Sequence, residues 1–239
     1  MSPSRYILLE PLGADGAWVR YRAVHRAHGT PHLARVRAGV PAAGVERLTS
    51  LVHLQRANRH PGLVPVERLI RTGTTLTAIA PWVDGVPLAA VLASMPLLPT
   101  EATAILADVG AIVAVAHGWG VPHGTLSPDH VMLVGTEGDL SVLVDGFGLA
   151  AADRDGLSPD QDLRALAALA QALGAPTLPG PPAESSPGPR PWSPALLARV
   201  RAGAASLAMD ADVSMHSFLP EEPAPDPAPS EPWWRRMLR

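Results

Sequence analysis

The spacing of apolar residues predicts a strand-rich first third of the chain that contains one helix. Apolar runs bounded by Gly, Pro and polar residues predict strands within residues 6–23, 30–38, 63–69 and 76–80. Over residues 45–58 the apolar residues recur at helical spacing, and the predicted stripe consists of Leu48, Leu51, Val52 and Leu54. We therefore expect a small sheet with a single amphipathic helix packed against it.

The remainder of the chain shows mainly helical patterns. Small apolar residues predict a helix over residues 99–119, and a further helix is expected at 194–208. The most apolar run, residues 104–121, contains Asp108 and His117, which favours a buried helix over a membrane span. The chain is thus predicted to be α+β, with its strands early and its helices late.

Composition narrows the classes of function. The 239 residues have 47% hydrophobic content, which suffices for a core in one or two lobes. The net charge of −3 gives no field that would attract nucleic acid or an anionic membrane, so we expect protein partners. Cys is absent, and the N-terminus lacks the apolar core of a signal peptide. Together these features predict a cytoplasmic protein without disulfides.

The composition changes at Pro220. Residues 220–232 are rich in Pro and acidic residues, which predicts an extended, disordered linker. The chain then ends in an aromatic and basic peptide that runs from Trp233 to Arg239, which is too short for stable membrane anchoring. Docking of this peptide on a partner or on its own domain, and a frayed terminus, remain alternatives.

Residues 120–150 contain the clearest motif. Their sequence, GVPHGTLSPDHVMLVGTEGDLSVLVDGFGLA, resembles the catalytic and metal-binding loops of protein kinases, H-R-D-x-K-P-x-N and D-F-G. The matching residues are His123, Pro128, Phe147 and Gly148. The resemblance implies a two-lobed kinase-like fold over residues 1–219 and a disordered tail at 220–239. It implies a small β-rich N-lobe at 1–82 and a reduced helical C-lobe at 83–219.

The same alignment indicates that residues needed for phosphoryl transfer are replaced. Thr125 stands at the base Asp, Ser127 at the Lys, and His130 at the metal-binding Asn. Counting back from the segment that resembles H-P-x-I-V places Leu51 at the helix Glu, which in kinases pairs with a strand Lys. The chain contains no Lys at all, because its 19 basic residues are all Arg.

Two positions remain open in this alignment. If Ala34 matches the Ala of the kinase motif V-A-I-K, Val36 takes the Lys position, whereas a one-residue shift puts Arg35 there. Because successive strand residues alternate between faces, only one of the two points into the cleft. Similarly, either Gly146 replaces the metal-binding Asp, or Asp145 is that Asp with Gly146 inserted after it. Only in the second case would Asp145 hold a metal ion.

Some residues of the kinase nucleotide site have counterparts in this sequence. Gly13 and Gly16 are similar to the Gly-rich loop that covers the phosphates, although Asp15 adds negative charge at its second glycine position. Pro81 and Val83 lie in a segment similar to the kinase hinge, where the Pro81 carbonyl and the Val83 N–H would contact adenine.

The segment after Gly148 is shorter than a kinase activation segment. Asp162 opens a stretch similar to the kinase helix start D-x-x-x-L-G, and no A-P-E occurs before it. The platform for a substrate peptide is therefore expected to be missing. By the same resemblance, Asp162 should hydrogen-bond the catalytic loop from below, and His123 should pack under that loop in a structural role.

These observations lead to a first hypothesis and an alternative. The first is a bacterial pseudokinase, which is not an enzyme, needs no cofactor and acts as a scaffold or regulator by binding another protein. The alternative is an ATP-binding switch or a weakly active kinase that uses Asp145 and the hinge, with ATP and Mg²⁺ as ligands.

Overall fold

The N-terminal sheet consists of five antiparallel strands. In the computed structural model these are β1 (Tyr6–Asp15), β2 (Trp18–His25), β3 (Pro31–Arg37), β4 (Arg68–Thr72) and β5 (Thr75–Pro81), in the spatial order β1-β2-β3-β5-β4. β1 and β2 meet at a tight turn in which Gly16 has a φ of 59°, a left-handed value that favours glycine. This turn places Asp15 at the tip of the hairpin.

The structure describes residues 5–135, 139–174 and 192–204, which lie within a compact unit that ends at Ala204. The predicted domain end at residue 219 and the tail beginning at 220 lie outside the described residues. The same holds for the peptide from Trp233 to Arg239. The domain bounds therefore stay predictions.

Helix α1 (Ala42–Ala57) lies in the N-terminal part of the chain, as the sequence predicts. Its residues Leu48 and Val52 are buried with Trp18 of β2 and Leu76 of β5. Leu54, however, is 38% exposed, so its assignment to the apolar stripe was wrong. The buried side of α1 continues from Val52 to Gln55 instead, and Leu54 lies on the solvent side.

The strand predicted over residues 63–69 was also partly wrong, because β4 begins only at Arg68. Pro65 has no N–H to donate to a sheet, which explains why residues before Arg68 do not form a regular strand. Leu63 instead makes a single parallel bridge to Val144, and the Val64 N–H donates to the Val144 carbonyl.

The second half of the described chain is mainly helical. A small sheet contains β6 (Val86–Pro87), β7 (Val131–Gly135) and β8 (Leu140–Val144), and the helices are α2 (Leu88–Leu92), α3 (Pro99–Gly118), α4 (Pro159–Ala172) and α5 (194–204). One apolar core joins these elements and includes Leu106, Val109, Leu133, Leu169 and Leu196. The predicted α+β arrangement is confirmed.

Helix α3 is long and apolar enough to cross a membrane and is the one helix of the described residues that meets this test. Eight of its residues are nevertheless buried against other parts of the protein, including Ile105, Val109 and Val113. The buried Glu101 begins the helix by accepting hydrogen bonds from the Leu98 N–H and the Ser193 N–H, both at 2.9 Å. The contacts are those of a core helix.

The short segment after Gly148 packs against α1. It forms a 3-10 turn (Leu149–Ala152), and both ends of this turn belong to the core that contains α1. Gly44 of α1 lies so close to the Ala152 carbonyl that a Cβ atom would be 2.2 Å from its oxygen. Arg47 adds a hydrogen bond from its Nε to the Ala151 carbonyl at 3.1 Å. This segment therefore fixes α1 in place.

Candidate functional site

A buried ion pair joins β3 to the loop after β8. Arg35 is 2% exposed, and its Nη2 lies 2.7 Å from Oδ1 of Asp145. The N–H direction is poor for a hydrogen bond, so the contact is chiefly electrostatic. Burial opposes the charge on Arg35, but the carboxylates of Asp145 and Asp15 raise its pKa above the usual value.

The register of β3 resolves the alternative that the sequence left open. Arg35 lies opposite Arg20 of β2 and Ala78 of β5, and its side chain reaches the loop at Asp145. Ala34 is on the other face of the sheet, where it is buried with Tyr6, Ala23 and Ile79. The structure therefore brings Arg35, and not Ala34, to the cleft, and Val36 is on the same face as Ala34 by strand alternation.

Asp145 points into the cleft, and Gly146 follows it in a left-handed conformation with a φ of 85°. A Cβ atom on Gly146 would lie 2.7 Å from Cδ2 of His130, so the close approach of the two loops requires glycine here. The carbonyl of Asp145 accepts a 2.8 Å hydrogen bond from Nε2 of His123. The loop is thus held through its backbone while its carboxylate faces Arg35.

Asp15, at the tip of the β1–β2 hairpin, connects both sides of the cleft. Its Oδ2 lies 3.3 Å from Nε of Arg35 and 3.1 Å from Nε2 of His130. Burial alone would raise the pKa of Asp15, but the hydrogen bond from His130 and the neighbouring positive charges outweigh burial and lower it to about 2. Asp15 is therefore ionised at neutral pH.

His130 in turn contacts Ser127. Both lie in residues 123–130, which resemble the kinase catalytic loop and which we call the catalytic-loop segment. The distance from Oγ of Ser127 to Nδ1 of His130 is 3.1 Å. The five side chains thus form one network, which we call the cleft network and which consists of Ser127, His130, Asp15, Arg35 and Asp145. It connects the hairpin tip to β3, to the catalytic-loop segment and to the loop after β8.

Asp162 holds the loop from below, as the sequence predicts. It is fully buried and accepts hydrogen bonds of 2.7 Å from the N–H groups of His123 and Gly124. Its Oδ2 also lies 2.7 Å from Nε2 of His117. Burial, together with the charge of His130, lowers the pKa of His123 to about 4, so this imidazole is neutral at pH 7.

Leu51 and Gln55 connect α1 to the loop after β8. Leu51 packs on Gly148, where a Cβ atom would lie 3.3 Å from the Leu51 Cβ, and it offers no carboxylate to Arg35. Sequence reasoning missed Gln55, which is 1% exposed, donates to the Phe147 carbonyl at 3.0 Å and accepts from the Val66 N–H at 3.1 Å. A polar residue on the helix face that also carries Leu48 and Val52 was the available signal.

The remaining predicted positions surround the cleft or lie beside it. Gly13 has a φ of 109° near the end of β1, and Gly16 forms the hairpin turn. Pro81 ends β5, and Val83 follows in the connection to β6, where its carbonyl accepts from the Gly85 N–H at 3.0 Å. Thr125 is exposed in the cleft.

A cavity of about 580 Å³ opens between the hairpin tip and the catalytic-loop segment. Its lining includes Asp15, Gly16, Arg20, Thr125, Ser127, Asp129, His130 and Arg154. Within the described residues no group of three or more His, Asp or Glu side chains is arranged to hold a metal ion. Since Asp145 is already paired with Arg35, the residues in this conformation do not fit a Mg²⁺ ion.

The chain is similar in sequence to bacterial protein kinases. It is 31% identical over 173 residues to the serine/threonine-protein kinase PkaA of Streptomyces coelicolor, which covers 65% of this chain and 32% of PkaA. It is 32% identical over 98 residues to the serine/threonine-protein kinase PknE of Mycobacterium tuberculosis, which covers 41% of this chain and 17% of PknE. The chain therefore spans less than a third of the length of each relative. No family model matches it.

The fold is that of a kinase domain. The PknI kinase domain of Mycobacterium tuberculosis superimposes with a TM-score of 0.59 at 22% identity and covers 72% of this chain and 76% of that domain. The two-lobed kinase-like fold predicted from the sequence is confirmed.

One prediction is contradicted by these relatives. The replaced residues at Thr125, Ser127 and His130 led to the expectation that the chain is not an enzyme. PkaA and PknE are both named serine/threonine-protein kinases, and this finding contradicts the expectation that the chain is not an enzyme.

Proposed function

We propose that this kinase-like chain is a regulatory domain that binds a protein partner, and that nucleotide binding in the cleft controls its state. The observation that supports the proposal most strongly is the cleft network, in which Asp15 and Asp145 both contact the buried Arg35. The network joins the hairpin tip to the loops of the C-terminal part, so opening it would change both sides of the cleft.

The charges in the cleft network explain why nucleotide binding would compete with the contacts that Asp15 and Asp145 make to Arg35. A triphosphate entering under the hairpin meets the ionised carboxylate of Asp15, and it needs the cation of Arg35 that two carboxylates already neutralise. Separating one partner from a buried ion pair costs roughly 3–5 kcal/mol if nothing replaces it. Phosphate oxygens are able to replace carboxylates around Arg35, which makes a two-state cleft physically reasonable.

Phosphoryl transfer, the activity in the relatives' names, is expected to be slow in this chain. The Thr125 hydroxyl is a poor base at neutral pH, and loss of a general base costs about 10²–10⁴-fold. With the smallest of these base losses and one further electrostatic loss of about 10²-fold, a kinase of ~10 s⁻¹ would fall to about 10⁻³ s⁻¹. A cytoplasmic location and a protein-docking role for the peptide at Trp233 belong to the same proposal.

Thermal melting with and without ATP, in the presence and absence of Mg²⁺, tests the proposal. The wild type should show a small upward shift in Tm, and Asp15→Asn should show a larger one, because the repulsive charge is gone and Arg35 is less occupied. Asp160→Asn is the control, since this exposed carboxylate lies outside both the cavity and the cleft network. If no variant shifts at millimolar ATP, nucleotide control is refuted.

A further inference from the structure

A hydroxyl, an imidazole and a carboxylate lie in a continuous hydrogen-bonded series in the cleft. Oγ of Ser127 is 3.1 Å from Nδ1 of His130, and Nε2 of His130 is 3.1 Å from Oδ2 of Asp15. The ionised Asp15 accepts a hydrogen bond from the N–H at Nε2 of His130. In the tautomer that carries its proton on Nε2, Nδ1 of His130 faces the Ser127 hydroxyl as an acceptor.

Each member of this series is held in place by other contacts. The His130 side chain is 5% exposed, and its ring meets the His123 ring edge to face at a centroid distance of 4.8 Å. Ser127 caps the 3-10 turn Pro128–His130 by accepting from the Asp129 N–H at 3.3 Å. Arg35 holds Asp15 from the other side. Such preorganisation distinguishes a reactive series from a transient surface contact.

The series opens onto the cavity of about 580 Å³, which Ser127, His130 and Asp15 all line. Two cations, Arg20 and Arg154, line the same cavity beside three carboxylates, Asp15, Asp129 and Asp153. Within the described part of the chain the buried Nε of Arg20 has no hydrogen-bond partner. An anionic oxygen of a ligand that enters beside Ser127 would therefore bind at Arg20, away from those carboxylates.

We propose that Ser127 is an activated nucleophile that takes a phosphoryl group from a phosphoric anhydride entering this cavity, with His130 as general base and Asp15 as the positioning carboxylate. A bond forms between Ser127 Oγ and phosphorus, and the bond from phosphorus to the bridging oxygen breaks. The Ser127 proton moves to His130 Nδ1, and the remaining phosphate or carboxylate departs as an anion.

This reaction goes beyond the nucleotide control proposed above, because it involves neither the hinge nor the carboxylate of Asp145. A purely structural turn would need only the contact between Ser127 and His130, which are three residues apart. It would not need a carboxylate from a hairpin 115 residues away to orient the imidazole. The carboxylate that joins the cleft network is thereby also placed to orient the imidazole.

Labelling of the full chain with a fluorophosphonate probe tests the nucleophile without any cofactor. The probe loses fluoride to an activated serine hydroxyl, and peptide mass mapping locates the adduct. We expect Ser127 to be labelled faster than Thr125, an exposed hydroxyl residue in the same cavity, and Ser127→Ala to lose the adduct. His130→Asn and Asp15→Asn should each slow labelling, by up to about 10²–10⁴-fold for the base. Asp160→Asn, at an exposed position outside the cavity, should leave the rate unchanged.

A phosphoryl donor completes the test. Acetyl phosphate should place a phosphoryl group on Ser127. The proposal is overturned if folded wild type is not labelled at Ser127, if Asp15→Asn and His130→Asn label at the wild-type rate, or if acetyl phosphate leaves Ser127 unmodified. Should His130→Asn melt early, Asp15→Asn supplies the same readout.

Discussion

Replacing Arg35 by Met should destabilise the protein by about 3–5 kcal/mol, because it removes a buried cation and leaves the carboxylate of Asp145 uncompensated, whereas Asp15 keeps its contact with His130. The side chains of Arg35 and Asp145 are 2% and 7% exposed, so water cannot solvate the charge that remains. Met fills a similar volume without a charge, which limits the contribution of a cavity. The free energy of unfolding from urea titration gives the magnitude directly.

Two further variants separate the electrostatic effect from loss of packing. The double variant Arg35→Met with Asp145→Asn should recover at least 1 kcal/mol of the loss, because no unpaired charge then remains at Asp145. Arg37→Met is the matched control on the same strand, since Arg37 pairs with the more exposed Asp153 and should cost about 1 kcal/mol or less. A cost for Arg35→Met as small as that of Arg37→Met would refute the reasoning.

Three other outcomes follow from the site. Because the pKa of Asp15 is lowered to about 2, its ionised carboxylate contributes roughly 1–2 kcal/mol to the free energy of unfolding above pH 4. This contribution should be lost as the pH falls from 4 to 2, and thermal melting of Asp15→Asn over the same pH range should not show the loss. Asp162→Ala should cost at least about 1–3 kcal/mol in urea unfolding by leaving the buried His123 N–H and the part-buried Gly124 N–H unpaired, whereas the exposed Asp160→Ala should cost little. Gly146→Ala should lower Tm by several degrees, and a change within one degree would show that the contact with His130 tolerates a methyl group.

The sequence was sufficient for the overall fold and for the support beneath the catalytic-loop segment. Alternating and helical apolar patterns predicted the early sheet and the late helices, and the resemblance predicted the role of Asp162. These features depend on local periodicity or on residues within a recognisable motif. The prediction that Leu54 lies on the buried face of α1 was wrong, because the polar Gln55 completes that face.

The cleft itself could not be predicted in the same way. Whether Arg35 or Val36 faces inward depends on the pairing of β3 with β2 and β5, which a one-residue shift reverses. The contact between Asp15 and His130 joins residues 115 positions apart, and no local pattern indicates it. The motif alignment treated both residues as losses, whereas in the structure they bind each other.

The most direct test of the central claim, that the cleft network and nucleotide compete for Arg35, is isothermal titration of ATP into wild type and Asp15→Asn. We predict that Asp15→Asn binds ATP at least about tenfold more tightly, which corresponds to about 1.4 kcal/mol, while Asp160→Asn, at an exposed position outside the cavity, matches the wild type. Equal ATP affinities for the wild type and Asp15→Asn would contradict the account.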